Sequence, residues 1–496
     1  MTAATGLYKK LITDSSGSPP EYGSISDTQA DSSSPTDEYS LSEIPPTTKY
    51  EETVSICKAS VPMIITFFLQ YSLTVVSIFS VGHIGKTELA AVSLSTMTFN
   101  ITVSIFNGMA TCLDTFCSQA YGAGKHSLVG LHFQRCTAMI FFTAIPVNLI
   151  WWFSGSILGL FVPNKELTDL AQLYLRIISL GSPGYIFFET GKRFLQAQGI
   201  FHAAQYVLFI CTPLNAFLNY VLVWDPNFGI GFMGAPLATA INYTLMAVLL
   251  FCYVYFIDGS KCWNGLQVRE AFKNWGPMAS LALPGVIMVE AEFLAFEILT
   301  ISASRFGTET LAAQSILSTT ATLIFQIPFG VSVVSSTKIA GYVGSKSIVN
   351  AKLAMKVSLI ISLVLGLFTT SGLFLGRNRL VLLFTNDPMV CKLGANALKI
   401  LAVNQLYDTI NVIAAGCLRG QGRQKIGSNL NLLSYYIVAV PLALYLAFWR
   451  DWKLQGLWTG LGCGIFVLSM SEVYFVLRAN WDAVLADALK RNAQDN

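Results

Sequence analysis

The 496 residues are 53% apolar and only 12% charged, with a net charge of +3 and a mean hydropathy of +0.56. Soluble domains carry about 25% charged residues, so a body this apolar has to meet lipid over much of its surface. The near-neutral balance without a basic block excludes nucleic-acid binding, and four scattered histidines and ten scattered cysteines, none in a CxxC pair, indicate neither a metal site nor a disulfide framework.

Residues 1–50 are rich in Ser, Pro, Asp and Glu and are expected to form a disordered tail on the cytoplasmic side. No apolar stretch follows Lys9 and Lys10, so this is not a signal peptide. Ser18-Pro19 and Ser34-Pro35 are candidate phosphorylation sites, although a plain solubilising tail fits the composition equally well. From there on, apolar runs long enough to span a bilayer follow one another, each needing roughly 20 residues. Twelve are expected, centred near residues 69, 100, 142, 183, 212, 245, 288, 324, 363, 406, 438 and 466. Many carry an internal proline, such as Pro146, Pro284, Pro328 and Pro441, which membrane helices tolerate when neighbours re-satisfy the backbone.

The chain repeats itself. "GKTELAAVSLSTMTFNITVSIFNGM" (85–109) aligns with "GTETLAAQSILSTTATLIFQIPFGV" (307–331) at an offset of 222, and "FLQAQG" (194–199) with "CLRGQG" (417–422) at 223. Six spans per unit give both halves one orientation, related by a pseudo-twofold axis along the membrane normal, with a cleft between them near the midplane. The expected fold is an all-α polytopic membrane protein of twelve helices in two six-helix lobes. Residues 51–256 form the first lobe, 257–276 a charged cytoplasmic linker, 277–480 the second lobe and 481–496 a cytoplasmic tail. With the amino terminus inside, the even-numbered connections carry 13 Lys and Arg against 8 in the odd-numbered ones, which predicts cytoplasmic termini.

An ionisable group inside a membrane costs roughly 2.5–3.5 kcal/mol on insertion scales. The seventh span nevertheless holds Glu290, Glu292 and Glu297, with no base before Arg305, and the tenth holds Asp408. Burial and mutual repulsion both disfavour the ionised forms, so at least one of these acids is expected to exchange protons near neutral pH. A buried acid bonded to a neighbouring helix is the alternative for each, but four in one lobe favour a functional role. At the 3.6-residue period, Glu290 and Glu297 share a face and Glu292 points elsewhere. Glu189 reads as an ion pair with Lys192 and Arg193, Asp114 as a brace for the loop after the second span, and Glu472 as structural. "SVGHIGKT" (80–87) and "GIGFMG" (229–234) imitate nucleotide loops but lack the strand context. No cofactor is expected, and the drive is an ion gradient. The Asn100-Ile101-Thr102 sequon lies mid-helix, out of a transferase's reach.

"VGHIGKTELAAVSL", "CLDTFCSQAYGAGK", "RFLQAQGI", "LALPGVIMVEAEFLAFE" and "CLRGQGRQK" make residues 50–480 resemble the multidrug and toxin extrusion (MATE) family, above all its fungal branch. The resemblance implies two lobes around a V-shaped cavity. It also implies antiport of organic cations, xenobiotics or metabolites against H⁺, with Na⁺ as the alternative ion. Glu292 and Glu297 fall on the two functional glutamates of eukaryotic members, Asp408 on their tenth-helix carboxylate and Gln70 on a first-helix glutamine. Glu290 has no family counterpart and enters through its spacing alone. Phe293 stands where relatives often carry Trp; with Gln70, Asn100 and Tyr407 it is a candidate for the substrate cavity. Phe296 and Phe325 offer further aromatic faces to a cation. The protein is expected to be a monomeric transporter rather than an enzyme, in the vacuolar or plasma membrane. A lipid or lipid-linked glycan flippase on a similar plan is the alternative, disfavoured because the buried charges are mainly acidic.

Overall fold

The computed structural model describes residues 45–82, 84–160 and 164–493. Twelve long helices follow one another. Spans 1 to 6 are Lys49–Gly82, Lys86–Ala110 with its continuation Cys112–Gly122, His126–Trp152, Lys165–Ser179 with Ser182–Ala197, Ala203–Trp224 and Gly234–Phe256. Spans 7 to 12 are Trp275–Ser304, Thr308–Gly344, Ile348–Leu382, Pro388–Gly420, Gln424–Trp449 and Lys453–Leu477. All twelve expected centres fall inside these ranges, and the described residues contain no strand. Among the described residues, nine of the helices are long and apolar enough to cross a membrane. The remainder are spans 4, 7 and 10. Span 4 is broken between Ser179 and Ser182, span 7 holds three glutamates, and span 10 sets Asn404, Gln405, Asp408 and Asn411 in its middle. The two spans that carry the expected acids are thus among the least lipid-like.

The duplication is visible as paired contacts. Span 1 packs on span 8 and span 2 on span 7. At Gly108 an added Cβ would sit 2.5 Å from the Val286 Cα, and at Gly330 it would come within 3.0 Å of the Ile64 nitrogen. Shifting 108 and 64 by 222 gives 330 and 286, so one contact is the pseudo-twofold mate of the other. Gly122 against Gly341 and Gly344 against Gln119 form a second mated pair, where no Cβ fits over the opposing carbonyl. Small residues let membrane helices approach this closely.

The lobes are joined at the end that carries both described termini. Lys338 Nζ lies 2.8 Å from Glu52 Oε1, and the Tyr342 hydroxyl donates to Glu52 Oε2 at 2.9 Å. Thr115 Oγ1 donates to the Arg419 carbonyl at 2.7 Å.

Three boundaries differ from those expected. Residues 1–44 of the tail lie outside the described residues, whereas span 1 begins at Lys49, within the stretch expected to be tail. Its start is a capping box: the Glu51 amide donates to Thr48 Oγ1 at 3.2 Å and the Thr48 amide to Glu51 Oε2 at 3.0 Å. Pro45 and Thr47 are also bonded to Asn350. Residues 481–493 are a helix rather than a tail, because Trp481, Val484 and Ala488 repeat at helical spacing and are buried, the helix packing on span 8 and the continuation of span 2. Arg491 then donates to Gln119 at 2.8 Å across the lobe boundary. The linker is strapped to span 3, where Gln134 bonds Gly265 and Gln267, and span 7 starts at Trp275.

Candidate ion-coupling site

Span 7 distributes its glutamates by helical geometry. Residues two apart point to nearly opposite sides of a helix. Glu290 therefore faces the other lobe, where its carboxylate accepts a hydrogen bond from Ser104 of span 2, with Tyr436 of span 11 nearby. Glu292 turns into its own lobe and faces Asp408 of span 10, Tyr435 of span 11 and Glu472 of span 12. Glu297 is half-buried, and no other charge of the described residues acts on it.

Asp408 is held by amide side chains of its own helix: Gln405 Nε2 lies 3.5 Å away, and Asn411 donates from the next turn. Among the described residues no Lys or Arg acts on Glu292 or on Asp408. The two carboxylates are close enough to repel each other when both are ionised. Tyr435 lies in a π-helical stretch, Leu433–Ala439, just before Pro441, which offers no N–H to the preceding turn. Its hydroxyl is buried, has no hydrogen-bond partner and lies within electrostatic reach of Glu292, Asp408 and Glu472.

The first lobe is built on a different plan, with the buried Glu189 and Asp114 each matched by a base. Glu189 Oε1 lies 2.9 Å from Lys192 Nζ and accepts from Gln70 Nε2 at 2.6 Å, while Lys192 also donates to Gln70 Oε1 at 3.0 Å. Arg193 does not join Glu189, as its spacing suggested. It pairs with Asp114 at 2.6 Å, so Asp114 is an ion-pair partner rather than a loop brace. Gln70 thus sits in the first-lobe network and not beside the carboxylates of the second. Asn100 and Phe293 are exposed, and Tyr407 packs edge-on against Phe466 at 4.9 Å. Glu292 and Asp408 are the candidates that the structure brings together.

Three residues near this site escaped the sequence. Arg419 counts as a loop base by position but is buried at the lobe boundary. Glu472 reads as structural, yet it is fully buried beside Glu292. Tyr435 carries no signal beyond its proximity to Pro441.

The MatE family profile matches residues 62–221 and 284–445, two segments whose starts are 222 apart. The uncharacterized transporter YDR338C of Saccharomyces cerevisiae is 45% identical over 438 residues, which is 88% of this chain and 63% of that protein, so the chain spans less than two thirds of that relative. Protein DETOXIFICATION 16 of Arabidopsis thaliana is 35% identical over 434 residues, covering 87% of this chain and 89% of its own. The crystal structure of the eukaryotic MATE transporter AtDTX14 superposes with a TM-score of 0.84 at 26% identity, over 90% of this chain and 99% of that one. A matched profile over both halves, relatives that are transporters and a shared twelve-helix, two-lobed architecture make this chain a member of the multidrug and toxin extrusion family of membrane transporters.

Proposed function

We propose that the protein exports organic cations from the cytosol in exchange for protons, and that Glu292 and Asp408 are the groups that exchange one for the other. What supports the reading is that, among the described residues, these two facing carboxylates have no base acting on them, whereas the buried Glu189 and Asp114 of the first lobe are ion-paired. An acid pair without a counter-ion is most stable with one positive charge between its members, and a proton and an organic cation compete for that place. A ligand shifts the access equilibrium only through its differential affinity for the two states, and this competition supplies the difference. A 100-fold proton gradient provides about 2.7 kcal/mol per proton, at 1.36 per pH unit.

Glu297 lies farther along span 7 and attracts the cation as it approaches or leaves. Glu290, engaged by Ser104, holds span 7 against span 2. Phe293, Phe296 and Tyr407 line the approach. The termini and the even-numbered connections face the cytosol, so protons enter from the opposite, acidic side, at either the vacuolar or the plasma membrane. A flippase for anionic head groups finds less support, because the buried Lys192 and Arg193 already pair with acids.

The test is uptake of a fluorescent organic cation into inside-acidic proteoliposomes, with an imposed Na⁺ gradient as the second arm. Wild type should take up the dye only under the proton gradient, and Glu292→Gln and Asp408→Asn should take it up at least about tenfold more slowly. Full retention of uptake in either variant rejects the carboxylate model.

A further inference from the structure

The duplication gives the Glu292–Asp408 pair a counterpart in the first lobe. Shifting 292 back by 222 gives Gln70, and shifting 408 back by 223, the offset of the surrounding segment, gives Tyr185. Neither counterpart is a carboxylate, and the Tyr185 hydroxyl donates to Asn107 Oδ1 at 2.9 Å. The charges at this place come from farther along span 4. Glu189 and Lys192 follow Tyr185 by four and seven residues, the spacing of one helix face.

Lys192 is buried, and its ammonium stands in a cage. Nζ lies 2.9 Å from Glu189 Oε1 and 3.0 Å from Gln70 Oε1, and Gln70 closes the ring by donating from Nε2 to Glu189 Oε1 at 2.6 Å. Two aromatic faces complete it: the Phe67 ring of span 1 is centred 5.0 Å from Nζ and the Phe188 ring of span 4 is centred 5.6 Å away. A carboxylate, an amide oxygen and two rings within cation–π distance are the chemistry that recognises a primary alkylammonium ion. Here that ion is tethered to the chain, and a tethered group competes for its site at a high effective concentration. Gln70 is partly exposed, so the cage has an open side.

We propose that the first lobe holds a primary-ammonium site that Lys192 fills permanently, so that this lobe stays occupied while the second lobe alone exchanges its ion. Lys192 thereby sets the number of exchanging sites. The asymmetry between the lobes follows from one side chain: the first-lobe acid has its cation built in, and the second-lobe pair has to be supplied with one. Arg193 does not compete for the cage, being held by Asp114 at 2.6 Å. The exchanging role of the second lobe is the reading proposed above, whereas the ammonium site rests on first-lobe geometry alone.

Lys192→Ala removes the atoms from Cγ to Nζ, which are those of n-propylammonium, and keeps Cβ. The test uses the full chain in lipid nanodiscs, with Glu292→Gln and Asp408→Asn in the background to remove both second-lobe charges. Adding Lys192→Ala should let the protein bind an additional molar equivalent of radiolabelled n-propylammonium, and the ligand should raise its melting temperature. Uncharged 1-propanol, of the same length, should do neither. Adding Glu189→Gln should abolish the extra binding. Lys192→Ala in the otherwise wild-type chain should raise saturating binding by the same amount, a change in the number of sites that a merely structural lysine would not produce. Should Lys192→Ala fold only when n-propylammonium is present during purification, that rescue supports the proposal, and a variant that the ion fails to rescue overturns it. No added binding, or added binding that survives Glu189→Gln or is displaced by 1-propanol, also overturns it. If removing the second-lobe charges leaves n-propylammonium binding unchanged while Lys192→Ala still adds its equivalent, the proposed function falls and the first-lobe site stands.

Discussion

The three glutamates of span 7 have three different surroundings, and their roles should separate accordingly. Glu290 is bonded across the lobes by Ser104, Glu292 faces Asp408 without a base, and Glu297 stands half-buried and alone. Glu292→Gln should therefore lower the rate of proton-driven uptake by at least about tenfold, a loss of about 1.4 kcal/mol, whereas Glu290→Gln should cost less. Initial uptake rates in proteoliposomes decide the ranking, and the reverse order would contradict it. Asp114 belongs to a different class. Removing one member of a buried ion pair typically costs about 3–5 kcal/mol, because the other charge stays buried and unmatched. Asp114→Asn leaves both Arg193 and Arg419 in that position, so its melting temperature in detergent should fall well below that of Glu292→Gln.

At the scale of helices, the closest contacts between lobes are made by small residues in mated pairs. Gly122 over Gly341 and Gly344 over Gln119 are the same contact seen from each half, so Gly122→Ala and Gly344→Ala should act alike. Each would push the terminal ends of spans 2 and 8 apart and raise the fraction of molecules with a long distance between spin labels placed at Ser127 and Val349, exposed residues at the starts of spans 3 and 9. Opposite effects would mean that the two contacts are not equivalent. Much at this scale is legible in the sequence. Apolar runs located all twelve helices, the 222-residue offset announced the pairing of their contacts, and the period of span 7 separated Glu292 from Glu290. The partners of the buried charges are not legible. Lys192 and Arg193 lie three and four residues after Glu189, so helical spacing allows either to pair with it; the choice is made by Asp114, which reaches Arg193 from another span. No local period encodes a contact between lobes, and Arg419, a loop base by position, is buried at the boundary for the same reason.

At the scale of the whole molecule, three of the thirteen bases counted toward the terminal side (Lys192, Arg193 and Arg419) are buried in the helix bundle and do not belong to loops. Cytoplasmic termini are thus supported by a smaller bias than the raw count suggests. The final helix adds a tie between lobes through Arg491 and Gln119, and through Lys125, which donates to the Asn492 carbonyl at 3.0 Å. Truncation after Asn480 should consequently favour the state open at that end, seen as longer label distances and a lower melting temperature. The central claim is that a cation and a proton displace each other from Glu292 and Asp408. Proton release on adding ethidium to purified protein in weak buffer tests it most directly. Wild type should release protons in proportion to the cation bound, while Glu292→Gln and Asp408→Asn release far fewer. Cation binding to wild type with no proton release, or with equal release by both variants, would contradict the account.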